Sequence, residues 1–199
     1  MLNDARVTVD LPKLVLASGS PRRAEILTSV GWDFEKAVPD VDESVVEGES
    51  PEEYVQRLAA EKAASVTASY RDRLVLAADT TVVIGEEIIG KPTDLDDARN
   101  MIAMLAGNWH DVLTGVAVSR NGALNVGIQS TRVKFTAMSA VEIDFLVEKG
   151  DPLDKAGGYA VQAQAALFIE GIEGDYWNVV GLPISLVYRL VAEINRSRS

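Results

Sequence analysis

Asp79 is the residue whose surroundings most demand chemistry. It interrupts Leu74-Val75-Leu76-Ala77-Ala78-Asp79-Thr80-Thr81-Val82-Val83-Ile84, a run that otherwise favours a buried strand. An ionised carboxylate left unpaired there would be costly, so it requires a metal, a cation or a raised pKa. Each of these also equips a general base or a metal ligand. The plainer alternative is a structural Asp paired with a lysine or with backbone N–H groups. Lys62 poses the complementary problem. On a helical wheel Val55, Leu58, Ala59 and Val66 form one stripe with Lys62 at its centre. A lysine so placed must reach water or meet a buried anion. Ser20-Pro21-Arg22-Arg23 puts two guanidiniums in the first turn of a helix, at the positive end of its dipole. A bound anion would relieve that conflict, and arginine takes phosphate oxygens bidentately; two solvated arginines are the alternative.

Other motifs carry less. Gly85-Glu86-Glu87-Ile88-Ile89-Gly90-Lys91 has the spacing of a phosphate-binding loop after a strand. Pro92 stands where a Ser or Thr should hold Mg²⁺, and Glu86 and Glu87 would repel phosphates, so a turn presenting Lys91 to a cleft is the better reading. Asp94, Asp96 and Asp97 fall in a first helical turn, where the dipole favours them without any metal. His110 has no nucleophile pattern nearby and reads as structural. Trp109, Tyr176 and Trp177 read as core or cleft wall. In Asp151-Pro152-Leu153-Asp154-Lys155-Ala156-Gly157-Gly158 the glycines suit a backbone lying close to a ligand, and Gln162 beyond them can both donate and accept towards a base edge.

Composition narrows the field. The chain has 199 residues and a net charge of −11, from 19 Lys plus Arg against 30 Asp plus Glu. That balance argues against nucleic acid or a polybasic membrane patch as partner. Zero Cys excludes disulfides, thiol nucleophiles and iron–sulfur clusters, and a single His excludes a multi-histidine metal site. No apolar run is long enough to span a bilayer, and the acidic N-terminus is unlike a signal peptide, so a cytoplasmic protein is expected.

The elements that must position these residues alternate. Strands are expected at Leu14–Ala17, Leu74–Ile84, 112–119, 126–135 and 165–169, the third and fourth joined by a turn at Asn121-Gly122. Helices are expected with Ser20 as cap, with Ser50 as cap (Ser-x-x-Glu with Glu53), from a Thr93 cap to Gly107, from Ser139 to about 148, and after Pro183. This is an α/β pattern with a mixed, twisted sheet flanked by helices. Residues 1–12 read as a loosely ordered N-terminal extension, the tail from Asn195 as a loose end, and 13–199 as a single domain.

In chain order, Leu16-Ala17-Ser18-Gly19-Ser20-Pro21-Arg22-Arg23, Asp42-Glu43, Ala60-Glu61-Lys62-Ala63, Ala78-Asp79-Thr80, Gly90-Lys91-Pro92, Asp154-Lys155-Ala156-Gly157 with Gln162, and Gly174-Asp175-Tyr176 with Asn178-Val179-Val180-Gly181-Leu182-Pro183 resemble the Maf family of nucleoside triphosphate pyrophosphatases. The resemblance implies two lobes around a cleft, in a fold shared with inosine-triphosphate pyrophosphatases. It implies hydrolysis of a nucleoside triphosphate to monophosphate and pyrophosphate, assisted by a divalent cation, Mg²⁺ or Mn²⁺. Arg22, Thr80 and Gln162 match the dTTP/UTP branch in the positions that select the base, whereas the branch acting on 7-methyl-GTP has Trp in place of Arg22. Ala163 departs from the family's usual Gly. On this footing Asp79 is the expected proton acceptor, and Ser20, Arg22, Arg23, Lys62, Lys91 and Lys155 are the expected substrate contacts. Glu43 and Asp79 are the expected metal ligands. Leu186, Leu190 and Val191 on the last helix would suit a homodimer. The competing expectation is a non-enzymatic nucleotide- or nucleic-acid-binding regulator of cell division.

Overall fold

The computed structural model describes residues 11–196 and is built on one seven-stranded mixed sheet. Along the chain run β1 (Leu14–Ala17), α1 (Pro21–Ser29), β2 (Phe34–Ala37), α2 (Pro51–Thr67), β3 (Leu74–Ile84), β4 (Glu87–Ile89), α3 (Leu95–Leu105), β5 (Trp109–Arg120), β6 (Ala123–Phe135), α4 (Ala140–Lys149), β7 (Ile169–Glu173), α5 (Tyr176–Val180) and α6 (Ile184–Arg196). The strand order is β2-β1-β3-β5-β6-β7, with β4 also on β3. The β2, β1 and β3 strands are parallel and every other pairing is antiparallel, the mixed sheet expected from the hairpin.

Local signals placed most of these elements. The Ser50 hydroxyl accepts from the Glu53 N–H at 3.2 Å, and Glu53 accepts from the Ser50 N–H at 2.8 Å, a complete capping box at the start of α2. Ser139 and Glu142 do the same for α4. Four expectations need correction. The Ser20 hydroxyl makes no capping bond, although Ser20 is the N-cap of α1; its own N–H donates to Ser18 Oγ at 3.1 Å. Asp94, not Thr93, caps α3. The strand expected at 165–169 begins only at Ile169, because Gln164–Leu167 forms a 3₁₀ turn. The Asn195 side chain accepts from Arg120 at 2.8 Å near the end of α6, so it is no loose tail. Residues 1–10 and 197–199 lie outside the described residues, but Leu11 packs against the core and the Pro12 carbonyl accepts from the Trp32 indole at 2.9 Å.

The core lies on both faces of the sheet. One face is covered by α2, whose Ala59, Ala63 and Val66 pack on Val15, Ala17, Val75, Ala77 and Ala117. The other carries the larger cluster, with Leu16, Leu27, Leu76, Ile102, Leu105 and Leu182 fully buried. Burying each such side chain contributes about 1.5–3 kcal/mol. Leu186, Leu190 and Val191 belong to this core, with the α6 leucines lying over Gly127 of β6. They are therefore not available to a homodimer interface. Trp109 is likewise no core residue: it lies under the Arg132 guanidinium at 4.6 Å, while Tyr176 and Trp177 stand half-exposed, outside the cleft wall.

His110 is structural, as expected. It is buried, with Nε2 at 2.7 Å from the Tyr159 hydroxyl and Phe135 edge-on to its ring. Burial lowers its pKa from 6.5 to about 4. Below pH 6.5 the unfolded chain therefore binds a proton that the folded chain refuses, so stability falls as pH drops from about 6.5 to 4. The loss should approach ~3 kcal/mol. Denaturant unfolding at pH 7 and pH 4.5 checks this: the difference between the two values should shrink in His110→Phe, whatever that variant's absolute stability.

Candidate active site

Strand lengths create the site. The β1 strand pairs only with the first residues of β3, up to Ala77, and β4 only with its last, from Val82. Residues 78–81 thus have a sheet neighbour, β5, on one side alone. A cleft of about 530 Å³ opens at this gap, beyond the carboxyl end of β1, where open α/β sheets place their ligands. Because side chains alternate along a strand, Asp79 and Thr81 point to the α2 face while Thr80 and Val82 point to the other. Through the gap all four reach the cleft.

The α2 side is a carboxylate–ammonium–carboxylate arrangement. Lys62 Nζ lies 2.6 Å from Asp79 Oδ1 and 2.7 Å from Glu43 Oε1. Lys62 and Asp79 are buried, so both meet the partner their sequence positions demanded, and the pairing satisfies the plainer reading of Asp79 as well. Glu43 is half-exposed, and Lys91 Nζ stands 3.8 Å from its other oxygen. Burial alone would raise the Glu43 pKa, but the bond and charge of Lys62, with Lys91 and Arg23, hold it below the ordinary carboxylate value. Glu43 sits on a segment without regular structure, and α2 pins it. Arg57 donates to both oxygens of Glu49, at 2.9 and 2.6 Å, and to the Ser44 carbonyl at 3.0 Å. That bond pulls the Glu49 carboxyl down to about 2. The Tyr54 hydroxyl donates to the Glu43 carbonyl at 3.1 Å, and burial, with Asp79 and Glu43 close by, pushes its pKa up to about 12.

The α1 side holds the arginines. Arg23 donates to the Gly181 carbonyl at 2.9 Å and to the hydroxyls of Ser18 and Thr80, each at 3.1 Å. Desolvation lowers its pKa, against the opposing pull of Asp79. The Thr80 hydroxyl is also 2.9 Å from that of Thr114, so much of its bonding capacity is spent inside the protein. Arg22 donates to a carboxylate oxygen of Asp154 at 2.9 Å and to the same residue's carbonyl at 3.1 Å. Lys155 is buried and bonds to Asp154 and Asp151. Gln162 is an exposed residue of the wall.

All ten expected positions, Ser20, Arg22, Arg23, Glu43, Lys62, Asp79, Thr80, Lys91, Lys155 and Gln162, therefore line one cleft. Sequence reasoning missed Ser18, a buried residue whose hydroxyl accepts both the Ser20 N–H and Arg23. Its signal was the spacing of two serines around Gly19 at the end of a strand. Tyr54 and Arg57 were missed too, because their role lies in holding a distant loop.

A cleft with cations on its walls, a helix N-terminus and two carboxylates converging on one ammonium, cut into a mixed α/β sheet, is a site suited to a small polyanion. The chain belongs to the Maf family: the family's sequence model, described as a Maf-like protein, matches residues 13–194. A protein of Symbiobacterium thermophilum named dTTP/UTP pyrophosphatase is 46% identical over 183 residues, 92% of this chain and 94% of that one. One of the same name from Anaeromyxobacter dehalogenans is 49% identical, covering 87% and 90%. The Ham1 protein of Staphylococcus aureus superposes with a TM-score of 0.53 over 91% of this chain and 98% of its own, and that of Coxiella burnetii with 0.52 over 92% and 99%. Their identities of 14% and 12% make this a likeness of fold alone.

Proposed function

We propose that this protein hydrolyses nucleoside triphosphates, dTTP and UTP foremost, to the monophosphate and pyrophosphate. The observation that carries the reading is the convergence of all ten expected residues on one cleft, in a family whose relatives bear that activity in their names. Asp79 accepts the proton of a water that attacks the α-phosphorus; the bond from that phosphorus to the bridging oxygen breaks, and pyrophosphate leaves. Arg22, Arg23, Lys91 and Lys155 line the path of the triphosphate, and their fixed charges offset what develops on the leaving group. Lys62, 2.6 Å from Asp79 Oδ1, orients the Asp79 carboxylate. The helix α1 adds the N–H groups of its first turn.

The carboxylates of Glu43 and Asp79 suit a divalent cation. Both are hard oxygen donors brought side by side at Lys62, and each uses only one of its two oxygens on that ammonium. Among the described residues no group of three or more acidic, His or Cys side chains forms a metal cage, and Mg²⁺ characteristically takes one or two protein carboxylates plus substrate phosphates. Bound there, Mg²⁺ or Mn²⁺ would neutralise phosphate charge. The activity is assigned to residues 13–199 acting as one domain in the cytoplasm. Among the described residues no helix is long and apolar enough to cross a membrane.

A panel of nucleoside triphosphates incubated with Mg²⁺ or Mn²⁺, with pyrophosphate and orthophosphate quantified separately, tests the reading. Pyrophosphate with dTTP and UTP supports it; orthophosphate or no turnover refutes it. Arg22→Trp should lower kcat/KM for dTTP and UTP by roughly 10–100-fold, more than for other nucleotides. Steady-state kinetics across the panel checks this, and unchanged constants would remove Arg22 from base selection.

A further inference from the structure

Asp154 lies 132 residues from Arg22 in sequence, yet two of its atoms hold Arg22 from across the cleft and a third holds its own neighbour Lys155. Carboxylate oxygen Oδ2 and the main-chain carbonyl each take one terminal nitrogen of Arg22, at 2.9 and 3.1 Å. The other carboxylate oxygen takes Lys155 Nζ at 2.5 Å. Both bridged cations line the cleft. Two bonds from different nitrogens to one residue fix the plane of the guanidinium, not merely its position. They leave three of its five N–H donors for something else.

The support for Asp154 is itself rigid. It ends a 3₁₀ turn, Pro152–Asp154, that follows Asp151 in the left-handed region. Just beyond, Gly157 has φ +68, its N–H donates to the Gly90 carbonyl at 2.9 Å, and a Cβ there would lie 2.9 Å from Val82. The loop is thus fastened to β3 and to the turn that carries Lys91. Arg22 reaches over from α1 and is clamped by that loop. A planar donor held in this way distinguishes ligands by where their acceptors lie, whereas a loose one follows any negative charge.

We propose that Asp154 is a positioning residue for base selectivity: by clamping Arg22 with one oxygen and Lys155 with the other, it holds the guanidinium in the orientation that favours pyrimidine acceptors. The inference rests on the reading of the cleft as a nucleoside triphosphate pyrophosphatase site. Asp154→Asn removes the shared charge but keeps the size. Its preference for dTTP over dGTP and dATP should fall roughly fivefold, the scale a half-exposed ion pair supports, and the change should lie in KM more than in kcat. Asp154→Glu, which retains the charge on a longer stem, should recover part of the preference. Thermal melts accompany the kinetics, because a purely structural role would lower Tm or reduce kcat for every nucleotide alike.

Parallel assays on the wild-type chain keep the two ideas apart. If the wild type releases no pyrophosphate from any nucleotide, the reading of the site fails. If it does so selectively and Asp154→Asn keeps that selectivity, or binds dTTP more tightly because Arg22 is freed, the positioning role is overturned.

Discussion

Asp79→Asn is expected to lower pyrophosphate release by about 10²–10⁴-fold, the range that a positioned general base supplies, while leaving the fold in place. The side chain keeps its shape and one acceptor oxygen, and Lys62 retains its 2.7 Å bond to Glu43, so the buried ammonium is not orphaned. Circular dichroism and a thermal melt should therefore resemble those of the wild type. The effect separates two roles that the geometry joins. As a partner for Lys62, Asn is a tolerable substitute; as a proton acceptor it is none. Near-wild-type turnover would reduce Asp79 to a structural counter-ion and end the mechanism proposed for the cleft.

Gly115→Ala is the second large effect expected, and it acts without touching the cleft. Gly115 is the β5 residue paired with Asp79 on β3. A Cβ added there would lie 2.1 Å from the Val55 carbonyl oxygen and 2.4 Å from its carbon. These are backbone atoms of α2, so no rotamer change can relieve the clash and the helix has to move. That same helix carries Tyr54, Arg57 and Lys62. Displacing it loosens the ammonium from Asp79 and the clamp on the Glu43 segment together. Overpacking should cost about 1–3 kcal/mol of stability, and a shift near 1 Å in the catalytic geometry about 10²-fold in turnover. A melt and kcat measured on the same preparation would check both, and a variant with wild-type values in each would show that α2 is not held by its contact with Gly115.

How much of this was legible beforehand divides along a physical line. Elements announced by local chemistry were found. The capping boxes at Ser50 and Ser139, the largely β-favouring run of β3 and the Asn121-Gly122 turn each stabilise a short stretch by contacts within it. Elements without such signals were missed. The β2 strand, Phe-Glu-Lys-Ala, is half-exposed and held in place mainly by pairing with β1, and α5 is a single turn between loops. Ser20 does occupy the N-cap position, as its place before Pro21 suggests, but whether its hydroxyl reaches a first-turn N–H depends on the folded turn, and there it does not.

For the site, residue types alone announced that Asp79 and Lys62 needed partners: a charge in an apolar stripe or strand must be paired, whatever the fold. Their order along the chain also disclosed the family. Which partners they found depended on tertiary structure. Pairing Lys62 with both Asp79 and Glu43, clamping Arg22 on Asp154, and opening a gap between β1 and β4 all join residues distant in sequence. Such contacts follow from strand register and from the close approach of α2 over Gly115, distances set by the packing of the whole chain, to which no local pattern has access.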